Sequence, residues 1–163
     1  MKKIITLLGI GPGLVLLTLL YSFLLKTEID YYHFNSTLKI VPYNFLVIIG
    51  IFLIVVGLLL LILSIIAVSK LRKTDRLYTK RIYSVCRHPL YAAWIVFIVL
   101  GIILLLNSLI LLTIPLVMYF IFKLLIKNEE TFLLNKYGDQ YREYKNQVGL
   151  LFPKFWRYKN DKE

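Results

Sequence analysis

Four long apolar runs, residues 4–25, 45–68, 90–106 and 109–126, leave this chain few ways to fold in water. A helix needs roughly 20 apolar residues, at ~1.5 Å rise each, to cross the hydrocarbon of a bilayer. The first two runs meet that length. The last two are shorter and are parted only by Asn107-Ser108, which predicts a tight helical hairpin with this pair near the far interface. Of the 163 residues 59% are hydrophobic, and the mean hydropathy is +0.73. Soluble domains sit nearer half apolar, so lipid is the expected solvent. The reading is an all-α integral membrane protein with four transmembrane helices, the last two a hairpin, followed by interfacial C-terminal helices. Lys2-Lys3 precede the first run, but its apolar stretch is too long for a signal peptide and no small-residue cleavage site follows. It is expected to be a retained helix.

The net charge of +11 raises the question of nucleic acid. The basic residues flank apolar runs instead of lining one surface, which argues for membrane lipid as the partner and against nucleic acid. Lys70, Arg72, Lys73, Arg76, Lys80, Arg81 and Arg87 face one acid, Asp75, in the segment 70–87. The loop after the first run balances Lys26 and Lys39 with Glu28 and Asp30. The positive-inside rule then puts both termini and the basic segment in the cytoplasm, with a bacterial plasma membrane the expected setting. Cys86 is the one cysteine, so no internal disulfide is possible. Its arginine neighbours could lower its pKa, although a passive small residue is the plainer reading. His33 and His88 are the only histidines, and no metal site is expected. His33 stands among Tyr31, Tyr32 and Phe34, which reads as an interfacial aromatic belt.

A single domain is expected: 1–76 holds two spans and the start of the basic segment, 77–153 a core, and 154–163 a basic aromatic tail. Gly9-Ile10-Gly11-Pro12-Gly13 predicts a kink or a close helix contact, and Pro115 a kink in the fourth span. Beyond the membrane, Leu133, Leu134, Tyr137, Tyr141, Tyr144 and Val148 recur at helical spacing, with Gly138-Asp139 ending one helix and capping the next. Phe155, Trp156 and Tyr158, among basic residues, suit either a membrane-surface anchor or a frayed charged end.

Two charged clusters fall where apolar runs meet water. In Arg87-His88-Pro89-Leu90-Tyr91, Pro89 suits the first turn of a helix, where an N–H would lack a partner anyway. Arg87 beside that positive helix end makes an anion site, unless Arg87 and His88 are juxtamembrane charges reaching for headgroups. Glu129-Glu130 ends the fourth run on the same predicted face. Paired acids there need a partner, either a cationic ligand or Arg87 itself, unless they form a solvated helix face.

Taken in order, Leu77-x-Thr79-x-x-Ile82-Tyr83, Arg87-His88-Pro89-x-Tyr91, Glu129-Glu130-x-x-Leu133, Tyr137-Gly138-x-x-Tyr141-x-x-Tyr144, Val148 and Pro153 resemble the isoprenylcysteine carboxyl methyltransferase family. They also resemble the related phospholipid N-methyltransferases. The resemblance covers about half the chain. It implies a membrane enzyme using S-adenosyl-L-methionine as cofactor, in a cytoplasm-facing pocket formed by the last two spans and the C-terminal segment. It further implies that Tyr83, His88, Pro89, Tyr91, Glu129 and Glu130 contact the cofactor. Arg87 and Glu130 are the candidate catalytic residues, placed near a lipophilic acceptor. Where the family often has glycine two residues before the tyrosine, this chain has Arg81. Two other readings stand beside this one: an NADPH-dependent sterol-type reductase, which usually has more spans, and a non-catalytic membrane scaffold.

Overall fold

The computed structural model describes residues 11–32, 37–39, 41–71 and 77–154. Four helices carry the architecture: α1, Gly11–Tyr32; α2, Tyr43–Leu71; α3, Pro89–Leu106; and α4, Thr113–Gln147. Short 3-10 turns at Arg81–Ser84 and Ile110–Leu112 lead into α3 and α4. Among the described residues, Tyr43–Ser69, Pro89–Leu106 and Ile110–Gln147 are long and apolar enough to cross a membrane. Helix α1 is not one of them. The expected first span thus divides: residues 4–10 lie outside the described residues, and the helix continues past residue 25 to Tyr32.

Lipid offers no partners for backbone groups, so helices that close their own hydrogen bonds are the available solution. Polar side chains follow the same rule. Thr18 Oγ1 donates to the Leu14 carbonyl at 2.6 Å, and Ser64 Oγ, wholly buried, to that of Leu60 at 2.6 Å. Along α2, Ile48, Phe52, Val55 and Leu59 stay exposed, as expected of a helix whose outer surface faces acyl chains.

What binds α2 to α3 is the absence of side chains. A Cβ at Gly50 would lie 2.9 Å from the Gly101 carbonyl oxygen, and one at Gly101 2.7 Å from the Gly50 oxygen. About two helical turns on, a Cβ at Gly57 would lie 2.7 Å from Ile98 Cγ1 and 3.2 Å from the Ala93 oxygen. These glycines let two backbones touch, the usual route to helix association where no hydrophobic force acts. Of the segment 9–13, where a kink or close contact was expected, Gly9 and Ile10 lie outside the described residues, and a Cβ at Gly11 or Gly13 would meet nothing within 4 Å among the described residues.

Helix α3 is not uniformly α-helical. Ala93–Val99 is wound as a π-helix between two α-helical segments. It ends at Asn107, whose left-handed backbone (φ 50) reverses the chain into α4, so the predicted hairpin is present. At that end Leu38 N–H bonds the Asn107 carbonyl at 3.4 Å, holding the first loop against the turn. Pro115 does not kink α4. It lies in the first turn, where its missing N–H costs no helical bond. The real break is Gly138 (φ 55, ψ −129), as Gly138-Asp139 suggested.

One core joins α1, α3 and α4: Leu14, Tyr91, Ala92, Ile95, Ile114, Met118, Phe122 and Ile126 pack together. Past the break a smaller cluster gathers Tyr141, Tyr144 and Val148 against Leu77, Leu133, Leu134 and Tyr137.

Candidate active site

The buried stripe of α4 steps by four residues through Ile114, Met118, Phe122, Ile126 and Glu130. Successive members are neighbours on the helix surface, in a stripe that winds slowly round it, so the carboxylate of Glu130 follows Ile126 and Phe122 into the same groove. Glu129, about 100° around the helix, is left partly open, with 30% of its side chain exposed.

Arg87 and His88 reach this face from the opposite direction. The segment before them opens with Arg81, whose φ of 55 is unusual for a side chain with a Cβ. This is the position where a glycine was the familiar residue, and the left-handed conformation explains why glycine suits it. The 3-10 turn that follows is tied by Ser84 Oγ, which donates to the Arg81 carbonyl at 2.6 Å. Tyr144 Oη donates to the Tyr83 carbonyl at 2.7 Å, fastening the same turn to the segment beyond Gly138. Next, Arg87 N–H bonds the Gly149 carbonyl at 2.9 Å and His88 N–H that of Leu150 at 3.1 Å. The free N–H groups expected at this helix start are therefore taken, for these two residues, by a backbone strap. Only glycine fits at 149, where an added Cβ would fall 2.0 Å from the Phe152 oxygen.

Pro89 occupies the first helical position with His88 as N-cap, as its chemistry predicted, and it is wholly buried. His88 is 5% exposed. Its ring lies 5.9 Å from that of Phe122, edge to face, and 6.0 Å from that of Tyr91; Tyr91 and Phe122 are 5.1 Å apart. This aromatic group forms a floor of low polarity beneath the charges.

Arg87 Nη1 and Glu130 Oε1 form a salt bridge, each side chain about 10% exposed. Lys145 Nζ takes the other oxygen, Oε2, at 2.7 Å. His88 stands between the two acids without bonding either: Nδ1 is 3.9 Å from Glu129 Oε1, and Nε2 3.7 Å from Glu130 Oε1. Tyr91 Oη donates to Glu129 Oε2 at a long 3.5 Å. Arg87, His88, Tyr91, Glu129 and Glu130 are thus brought together. Tyr83 lies at the rim, where burial and then the charge of Glu129 raise its phenol pKa above the usual range. Burial pushes the Cys86 thiol up to about 11, against a smaller lowering by the backbone N–H of His88. A reactive thiolate is not favoured there, and the arginine neighbours do not reverse this. His33 and the tail residues Phe155, Trp156 and Tyr158 lie outside the described residues.

Phe122, Tyr141 and Lys145 belong to this neighbourhood but were not among the candidates. The four-residue stripe ending in Glu130 was a usable signal for Phe122. Lys145 carried none, because its approach to Glu130 depends on the break at Gly138.

A profile of the family described as phospholipid methyltransferase matches residues 45–140, a stretch that holds nearly all of α2, the whole of α3, and Arg87, His88, Tyr91, Glu129 and Glu130. The chain belongs to this family. It is also 36% identical over 83 residues to a Protein-S-isoprenylcysteine O-methyltransferase of Tribolium castaneum, a match covering 51% of this chain and 30% of that protein. This chain therefore spans less than a third of its relative's length in the match. No solved structure matches. In this family member the matched stretch ends at 140, so Tyr141, Lys145 and the Gly149–Leu150 strap complete the cluster from outside it.

Proposed function

We propose that the protein is an S-adenosyl-L-methionine-dependent methyltransferase acting on a lipophilic acceptor at the cytoplasmic face of its membrane. The acceptor class is an isoprenoid, a prenylcysteine-like or a phospholipid-like molecule. The observation that carries this reading is the placement, inside the family-matched stretch, of a partly open carboxylate beside a buried polar atom that lacks a partner. Glu129 keeps acceptor capacity beyond its long bond from Tyr91, which suits the cofactor's amino group or ribose hydroxyls. His88 Nε2 has no hydrogen-bond partner among the described residues and suits a further polar atom of the same molecule. The residues fit the cofactor, and Tyr83, Pro89 and Tyr91 complete the set that would hold it, Pro89 by fixing the helix start.

Bound there, the cofactor supplies an electrophilic methyl group on a sulfonium sulfur. Methyl transfer is an in-line displacement, so the chain's own contribution is positioning and exclusion of water. Glu130 fixes the Arg87 guanidinium, and Arg87 orients an anionic acceptor head. Met118 and Phe122 close the apolar side. Lipid-facing helices on both sides give a long-chain acceptor a lateral approach. The basic segment before Arg87 favours a cytoplasmic setting, with 77–153 as the catalytic core.

The test uses full-length protein in detergent and in membranes. Calorimetry should show heat with S-adenosyl-L-methionine, and label from its methyl group should enter the lipid-soluble fraction. Heat from NADPH alone would replace this reading with a reductase. Binding of neither would leave a scaffold.

A further inference from the structure

Two tyrosines one helical turn apart, Tyr141 and Tyr144, are almost wholly buried beyond the Gly138 break, yet only one has an evident use for its hydroxyl. Tyr144 Oη bonds the Tyr83 carbonyl. Tyr141, 1% exposed, leaves its hydroxyl without a hydrogen-bond partner among the described residues. A phenylalanine would satisfy the packing without stranding a polar atom, and native interiors rarely strand one without cause.

The surroundings narrow what the missing partner is. Glu130, Arg87 and Glu129 are the charged groups that act on it, and Arg87 acts also as a donor toward its oxygen. Glu130 is already held through both oxygens, by Arg87 Nη1 and by Lys145. Arg87 Nε is itself buried and has no hydrogen-bond partner among the described residues. Arg87 Nε–H can only donate, and the Tyr141 hydroxyl, whose oxygen faces the Arg87 guanidinium as an acceptor, keeps its own proton to donate. Two donor protons, brought together from separate elements, lack an acceptor oxygen among the described residues.

We propose that Tyr141 is a ligand-binding residue whose phenol, with Arg87 Nε, donates to an anionic oxygen of the bound ligand. This rests on the methyltransferase reading. A carboxylate oxygen is the shared chemistry, and it has two sources there: the methyl donor or a lipophilic acid.

Tyr141→Phe and Tyr144→Phe in the full-length protein in detergent test the proposal. Without ligand, Y144F should melt below wild type because it loses a bond to the chain, whereas Y141F should not. Binding is then measured with S-adenosyl-L-methionine by calorimetry and with radiolabelled palmitate by equilibrium partition. Y141F should bind one of these probes about tenfold more weakly, as loss of a hydrogen bond to a charged group predicts, and the probe affected identifies the source. Unchanged affinity for both overturns the proposal and assigns the phenol to water. A fall in ligand-free melting equal to that of Y144F also overturns it, by revealing a structural partner. Wild type binding neither probe refutes the underlying reading together with this one, whereas wild-type binding with an unaltered Y141F refutes this one alone.

Discussion

Helices α2 and α4 are both long and apolar, but they use their sequences in opposite ways. Helix α2 is apolar all round, exposes most of its large side chains, and meets α3 where side chains are missing, at Gly50 and Gly57. Helix α4 has a defined buried stripe, and that stripe ends in a charge. In lipid, an apolar side chain gains little by turning inward, so α2 is held by close backbone approach. A carboxylate cannot remain unpaired at that boundary, so α4 is oriented by what Glu130 must find.

This contrast is broken most severely at Arg87. Arg87→Ala should cost about 3–5 kcal/mol, because it removes one partner of a buried ion pair, and should abolish methyl transfer. Thermal unfolding and label incorporation measure the two effects separately. Arg87→Met with Glu130→Leu sharpens the point: stability should return while transfer stays absent, as expected if the pair is kept for function. On the other side, Gly101→Ala pushes a Cβ against the Gly50 carbonyl and should cost about 1–3 kcal/mol. An unchanged melting temperature would refute backbone contact as the tie between α2 and α3. Arg81→Gly should stabilise by about 0.5–1 kcal/mol, since it relieves a left-handed residue and gives part of that back in unfolded-chain entropy. A loss of stability there would mean the side chain matters more than its backbone. Phe52→Leu, on the lipid face of α2, should change stability by less than about 0.5 kcal/mol. A larger loss would show that this face packs against protein.

Much of the fold was legible because its signals are local. Run length announced the helices, Pro89 the start of α3, Gly138 the break in α4, and the short Asn107-Ser108 link the hairpin. The meeting of Arg87 with Glu130 followed from their shared position at the ends of apolar runs. What was not legible depends on partners distant in the chain. Gly11 and Gly13 look as fit for close contact as Gly50 and Gly101 do, and only the packing distinguishes them. Pro115 read as a kink because the start of α4 could not be fixed to the residue. The π-helical turns at Ala93–Val99 have no pattern of their own, and the Gly149–Leu150 strap works through main-chain groups that every sequence possesses.

That strap has a consequence for how the protein is made. Helices α2 and α3 can enter the bilayer as they are synthesised, but the residues beside Arg87 and His88 must wait for Gly149 and Leu150 to supply their carbonyls. Assembly of the site is thereby deferred to the end of translation of this core. A nascent chain that has already inserted its spans still lacks a finished site, so membrane integration and catalytic competence are separate events in the protein's biogenesis.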